Sequence, residues 1–336
     1  MGEFGFDVGS GPVSGNVGVR RVKTTQSSTG YSTVDGAMVL THVSRDYTDT
    51  LPSLNLVAEL APDLMLRFGA AKVMARPGLS SLTPGTTLSL SSGHRYVNGG
   101  NPNLDPIRAR TLDLGVEWYF QEGGLLGLAL FHKDIESFVQ GTSTVMPFTA
   151  SGLPASLLDG TGVSPNEDFT FTRPLNTPGG DLKGAEFNYV QPFSFLPGRW
   201  SNLGLQLNYT WVDSQIQYLA APGAASLKTD LPVLSKNSYN CTLFYEGEKL
   251  GARVSYTHRD GYYTQVPASV QGFSFHGMDA VDTLDASISW QIADHLELSL
   301  EGLTLTTDTS HEGVGPTAWT LPLTYTQPGR ALLPGL

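Results

Sequence analysis

Charged residues make up only 15% of this 336-residue sequence, against about 25% in an ordinary soluble domain. No apolar run reaches the ~18 residues that a membrane helix needs, and the mean hydropathy is slightly negative. Low charge without long apolar runs is what a membrane β-barrel produces, because its strands alternate apolar and polar residues. Basic residues are also short, at 20 against 31 acidic ones, for a formal net charge of −11. Nucleic acid needs clustered Lys and Arg for its phosphates, so that class of partner is excluded. The single cysteine, Cys241, excludes an internal disulfide and any Cys-based metal cluster. The opening MGEFGFDVGSG has no basic stretch followed by an apolar one. It is therefore not a signal peptide, and as written the chain is not expected to direct its own export. There is no H-E-x-x-H, G-x-S-x-G or P-loop, so neither enzyme nor cofactor is expected. Gly9, Gly11 and Gly15 surround Pro12 and precede a strand rather than a helix. They read as a turn, because the nucleotide fingerprint requires a helix there. His42, His94, His132, His258, His276, His295 and His311 lack ligand spacing, so no metal site is expected.

What is abundant is glycine (38), proline (21) and hydrophobic period two. In LGLQLNYTW, Leu203, Leu205, Leu207, Tyr209 and Trp211 share one face, and Gly204, Gln206, Asn208 and Thr210 the other. In LDASISWQI, Leu284, Ala286, Ile288, Trp290 and Ile292 oppose Asp285, Ser287, Ser289 and Gln291. In LELSLEG, Leu296, Leu298 and Leu300 oppose Glu297, Ser299 and Glu301; in ARVSYTH, Ala252, Val254 and Tyr256 oppose Arg253, Ser255 and Thr257. Similar segments cover Leu54 to Leu60, Leu64 to Met74, Thr111 to Phe120, Leu125 to Phe138, Lys183 to Val190 and Tyr239 to Tyr245. Weaker ones run from Val17 to Lys23, Glu3 to Val8 and Leu321 to Leu333. The total is about thirteen strands, many near the ~9–11 residues that a tilted strand needs to cross a bilayer.

Connections alternate in length. Short turns fall at Ala61 to Asp63, Gln121 to Gly123, Glu246 to Glu248 and Ala293 to His295, with a longer one from Pro192 to Asn202. Between them lie stretches that read as irregular: Pro77 to Arg110, Gly141 to Asp181, Val212 to Asn237, Arg259 to Val281 and Leu303 to Trp319. Short turns on one rim and long loops on the other is the layout of an outer-membrane barrel. Trp118, Tyr119 and Phe120 sit at one short turn and Phe193, Phe195 and Trp200 at another. Such clusters suit a membrane interface, though aromatics also dominate ordinary cores. The fold class expected is all-β: an antiparallel up-and-down transmembrane β-barrel, partial, with short periplasmic turns and long extracellular loops.

Several segments in order carry a family resemblance. LPSLNLVAELAPDLMLRFGAAKVMARPGLSSLTPG resembles the mid-barrel region of TonB-dependent receptors. GNPNLDPIRARTLDLGVEWYF resembles their recurring N-P-x-L-x-P segment before a strand. FLPGRWSNLGLQLNYTWVDS, LSKNSYNCTLFYE, ARVSYTHRDGYYTQ and LDASISWQIADHLELSLEGLTL follow in the family's order, and the similarity covers most of residues 12 to 305. The resemblance implies an outer-membrane active transporter, with a barrel of about 22 strands closed around a plug. It implies a TonB contact ahead of the barrel, insertion by the barrel-assembly machinery, and outer-membrane lipid around the wall. The branch it resembles is associated with oligosaccharide uptake. Departures are the lack of any counterpart to signal peptide, TonB-contacting segment or plug, Thr304 where the family often has Asn, and an ending YTQPGRALLPGL without a terminal aromatic, with Pro334 and Leu336 where the last strand should finish. The expectation is the C-terminal portion of a receptor barrel, truncated at one end and altered at the other.

Candidate ligand contacts lie in loops. They are Tyr96, Asn98 and Asn101 in one; Trp211 and Asp213 where a strand meets another; and Arg259, Asp260, Tyr262 and Tyr263 in a third. Aromatic faces pack on apolar ligand surfaces and a few polar groups fix orientation. Against this, Asn101, Pro102, Asn103 and Pro106 are also the residues that set turns. Glu297 and Glu301 share one strand face, and a polar lumen wall is favoured over a glycosidase pair. Three functions compete: a receptor barrel fragment, a passive porin or orphan barrel without transport, and a soluble β-rich carbohydrate-binding or glycoside-processing protein. A lipid-facing apolar band separates the third from the others.

Overall fold

The computed structural model describes residues 1–9, 11–34, 37–90, 95–219, 226–266, 275–306, 310–315, 321–326 and 329–335; His94 and Leu336 lie outside them. The strands run β1 (Gly2–Val8), β2 (Gly11–Val34), β3 (Ala37–Ala61), β4 (Leu64–Ala75), β5 (Thr86–Ser89), β6 (Tyr96–Gly99) and β7 (Ile107–Gln121). There follow β8 (Gly124–Pro147), β9 (Asp168–Pro192), β10 (Leu203–Leu219), β11 (Ser226–Thr229), β12 (Asn237–Glu246) and β13 (Leu250–Arg259). The last are β14 (Tyr262–Gln265), β15 (Phe275–Met278), β16 (Val281–Ala293), β17 (Leu296–Leu303), β18 (Ser310–Gly315), β19 (Leu321–Thr326) and β20 (Ala331–Gly335).

Thirteen of these form one antiparallel path, β1-β2-β3-β4-β7-β8-β9-β10-β12-β13-β16-β17-β20. This is the up-and-down wall expected. Among the described residues no ladder joins β1 to β20, so the sheet is an open arc, a partial barrel. The short turns fall where expected. Asp63 and Gly123 adopt positive φ, at 63° and 70°, which lets two residues reverse the chain.

Register makes the two faces continuous. Leu114 and Val116 stand beside Leu130 and Leu128 on β8, which stand beside Ala185 and Phe187 on β9. Tyr189 and Phe187 adjoin Leu207 and Tyr209, and these adjoin Cys241 and Tyr239. Leu243 meets Val254, Val254 meets Ala286, and Ile288 and Trp290 meet Leu300 and Leu298. Leu128, Ile288 and Trp290 are 49%, 46% and 55% exposed. A soluble sandwich would cover such a face with a second sheet. Here the fully buried apolar residues, among them Val97, Phe148, Phe169, Ile216 and Tyr218, all lie beyond this band. An apolar face turned outward, with the packed core outside its height, is the arrangement of a lipid-facing wall.

The structure departs from the sequence reading above the band. The segments expected at Val17 to Lys23 and Leu54 to Leu60 are parts of strands of 24 and 25 residues. The stretch from Gly141 to Asp181, expected to be irregular, largely continues the β8–β9 ladder as far as Pro147 opposite Asp168. At ~3.3 Å per residue such strands outrun the hydrocarbon layer by tens of ångströms and stand as ribbons in water. With solvent on both faces they need no alternation, so the period-two signal vanishes there. The strand expected from Leu321 to Leu333 is two: Leu321–Thr326 joins a separate four-stranded sheet, β14-β15-β18-β19, and Ala331–Gly335 pairs with β17. Among the described residues one pairing, β6 with β9, is parallel.

Candidate functional site

The outward apolar band ends in polar side chains at a similar height on successive strands: Lys72, Arg110, His132, Lys183, Asp213, His258 and Asp282. They are paired. Glu136 accepts from Lys72 at 3.3 Å and Arg110 at 3.0 Å, and Asp213 lies 3.7 Å from both Lys183 and Lys236. His258 Nδ1 lies 2.7 Å from Asp282 Oδ1, which also accepts from the Tyr256 hydroxyl. Charge is expensive in hydrocarbon, so this belt marks where lipid tails stop. Trp211 and Asp213 continue the face of Leu205, Leu207 and Tyr209. The structure therefore puts both on the outer wall at the lipid boundary.

Arg259 ends β13 on the opposite, inward face, following Arg253, Ser255 and Thr257. Its guanidinium donates to Ser235 Oγ (2.7 Å) and the Val233 carbonyl (2.8 Å), and lies 4.0 Å from the Tyr262 ring centre. Asp260 Oδ2 accepts from the Asn237 backbone N–H (3.0 Å) and side-chain amide (2.6 Å), and its Oδ1 lies 3.1 Å from His258 Nε2. Burial pushes this carboxyl up, but the Asn237 hydrogen bonds and His258 outweigh it and hold the group below the usual carboxylate range. Tyr263 packs on Phe275 with ring centres 5.0 Å apart, in a cluster with Ile216, Tyr218 and Val266. Arg259, Asp260, Tyr262 and Tyr263 thus gather where β13 ends and β14 begins, while Trp211 and Asp213 lie at a similar height on the outer face of β10.

Tyr96, Asn98 and Asn101 are elsewhere. β6 pairs Tyr96 with Thr170, roughly 40 Å along β9 from Lys183. Tyr96 and Asn98 lie on the exposed side of that strand. Asn101 Oδ1 accepts from the Asn103 N–H (3.0 Å), and its amide donates to the Pro174 carbonyl (3.1 Å). Leu104 and Pro106 are fully buried, and Asp105 and Asn176 exchange hydrogen bonds of 2.8 and 3.0 Å. This segment braces the 77–106 loop against the β8–β9 ribbon.

The inward wall has two halves. Beside β3 to β9 a hollow of about 590 Å³ carries Arg67, Asp113, Glu117, Lys133 and Glu186. Arg67 is 3.0 Å from Glu117, which also accepts from the Tyr119 hydroxyl (2.9 Å). From β9 to the middle of β13 the wall has a neutral patch, and beyond it Arg253, Asp285, Glu297 and Glu301 bring charge back. Asn188, Asn208 and Asn240 are register neighbours, Asn240 donates to Thr257 (2.8 Å), and Thr242 meets Ser255 (2.8 Å). Glu297 and Glu301 face this side, with Gln291 and Ser287 opposite. Their backbones lie ~13 Å apart along the strand, beyond the ~5–9.5 Å carboxyl spacing of glycosidases. Among the described residues no three His, Cys, Asp or Glu side chains gather to hold a metal ion.

A further hollow of about 460 Å³, which no sequence pattern announced, lies between the tip of the β8–β9 ribbon and the β5–β6 hairpin. Its walls include Thr86, Thr144, Phe171, Leu153 and Arg173.

The family model described as "TonB dependent receptor-like, beta-barrel" matches residues 2–304. No curated protein matches the sequence. Among solved structures, a mutant of the ferric enterobactin receptor PfeA from Pseudomonas aeruginosa superposes with TM-score 0.57 at 16% identity, over 89% of this chain and 40% of that one. The siderophore receptor PirA from Acinetobacter baumannii gives 0.57 at 14%, over 96% and 45%, and the unliganded ferric citrate transporter FecA 0.57 at 12%, over 97% and 42%. The chain therefore spans under half the length of these structures, and the likeness is one of fold.

Proposed function

Because the chain belongs to the TonB dependent receptor-like β-barrel family, we propose that it forms the C-terminal portion of the barrel of an outer-membrane nutrient receptor, and that the nutrient is an oligosaccharide. On this reading outer-membrane lipid surrounds the apolar band, the barrel-assembly machinery inserts the wall, and TonB acts through a region ahead of the barrel. Arg259 and Tyr262, inward at the rim, are the ligand contacts best placed to meet an entering molecule. The observation that carries the oligosaccharide is the uncharged patch of the inward wall across β9, β10, β12 and the middle of β13. Asn188, Asn208, Asn240, Thr242, Ser255 and Thr257 present amides and hydroxyls on neighbouring strands. Such groups exchange hydrogen bonds with a polyol one for one, without a charge that would favour an ion.

The test is accumulation by the native host before and after deletion of this chain's coding region, with and without TonB. Loss of TonB-dependent oligosaccharide accumulation, with ferric-chelate uptake intact, is the expected result. Unchanged oligosaccharide accumulation together with lost ferric-chelate uptake would overturn the substrate.

A further inference from the structure

We propose that the 460 Å³ hollow at the tip of the β8–β9 ribbon is a subsite for one sugar ring that carries a carboxylate. The proposal rests on the oligosaccharide reading and names the part of such a ligand that this region would hold.

The local sheet explains the cavity. Above the band β9 pairs with β8 on one side and β6 on the other, and β6 pairs with β5. Register sets Thr144 beside Phe171, Phe171 beside Val97, and Thr142 beside Arg173, so these side chains share one face. Toward the tip that face is filled by Val97, Phe148, Leu158 and Phe169, a packed cluster edged by Leu153 and Phe171. Toward the barrel the packing stops and the hollow begins. Interiors normally fill to crystal-like density. A solvent-open concavity of this volume, backed by a packed core, lies within the usual range of a small-ligand site.

The lining selects the ligand. Leu153 and Phe171 offer apolar surface to the carbon face of a pyranose. The hydroxyls of Thr86 and Thr144 make no side-chain hydrogen bond among the described residues, whereas Thr142 and Thr172 are already engaged, with the Arg173 carbonyl and Ser143. Among the described residues Arg173 is the only ionisable one in the lining. Its guanidinium has no ion pair among the described residues, although acidic residues outnumber basic ones in the chain. A planar fork left free beside two free hydroxyls matches a carboxylate attached to a polyol.

The experiment measures equilibrium binding of labelled digalacturonate, cellobiose and citrate to outer membranes from the native host, less membranes from the deletion strain. Variants are compared at equal amounts of chain. Digalacturonate should bind at least tenfold more tightly than cellobiose. Arg173→Ala should erase that preference, Arg173→Lys should keep part of it, and Thr144→Trp, which projects an indole into the hollow beside Phe171, should abolish specific binding of both sugars. Equal affinity for the two sugars, citrate binding as tight as digalacturonate, or undiminished binding by Thr144→Trp would each overturn the subsite. Cellobiose and digalacturonate binding alike would leave the oligosaccharide reading standing, which the accumulation assay decides separately.

Discussion

Placing arginine at Leu128 tests the outward band most directly. Leu128 is 49% exposed and lies five residues beyond Gly123 in the short turn. At ~3.4 Å per residue and a tilt near 40°, that is about 13 Å above the turn, close to the middle of a ~25 Å apolar band. Arginine at the midplane costs about 2–4 kcal/mol, against roughly 0–1 near an interface. Leu128→Arg should therefore lower partition into lipid by about 30- to 1000-fold, at ~1.4 kcal/mol per tenfold. Leu64→Arg, next to a turn, should cost under about 1 kcal/mol. Ala129→Arg points the other way, beside Glu186 in register, and should also cost under ~1 kcal/mol because lumen positions tolerate charge. The assay is a urea titration of the chain with phosphocholine vesicles, read by tryptophan fluorescence. Equal penalties at Leu128 and Ala129 would refute the assignment of faces.

Because the path runs from β1 to β20 without closing, the isolated chain should show no heat-modifiable band in detergent; a species that resists denaturant until boiled would show that it closes. Asp260, held below the usual carboxylate range, contributes stability that is present above its unfolded pKa of about 3.9 and lost as pH falls through the lower folded value. Proteolytic protection of the 259–263 segment should accordingly persist at about pH 5 and fall below about 4, and Asp260→Asn should weaken that loss on the acid side. Asn101→Ala deletes an acceptor for Asn103 and a donor to Pro174. It should cost about 1–3 kcal/mol of local stability, visible as faster amide exchange over 101–106, and Asn101→Asp should fall between it and the parent.

The inward wall and the rim were legible to different degrees. Strict alternation from Leu203 to Trp211 and from Leu284 to Ile292 fixed which side chains face lipid, because a one-residue slip would turn a whole apolar set into the lumen. The same alternation placed Trp211 on the outward face, yet its loop-end position marked it as a ligand contact. The structure shows it at the lipid boundary, beside Asp213 and its two lysines. The bracing role of Asn101 was foreshadowed by its turn-forming neighbours. The Arg173 hollow was not, since its residues come from segments 84–100 and 142–173 and no spacing in the chain relates them.

The sequence by itself determined the strand path across the membrane, the turns at Asp63 and Gly123, and the two faces of the wall. Each follows from local chemistry: period-two patterning against lipid, and residues that tolerate positive φ. Only the tertiary structure decided how far β2, β3, β8 and β9 continue into water, that β6 joins β9 in parallel, and that β14, β15, β18 and β19 form a second sheet. In water both faces of a ribbon can stay polar, so no hydrophobic period records its length or its partner. Those choices rest on long-range backbone pairing and on small buried clusters such as Val97, Phe148 and Phe169, whose members are brought together only by the completed fold.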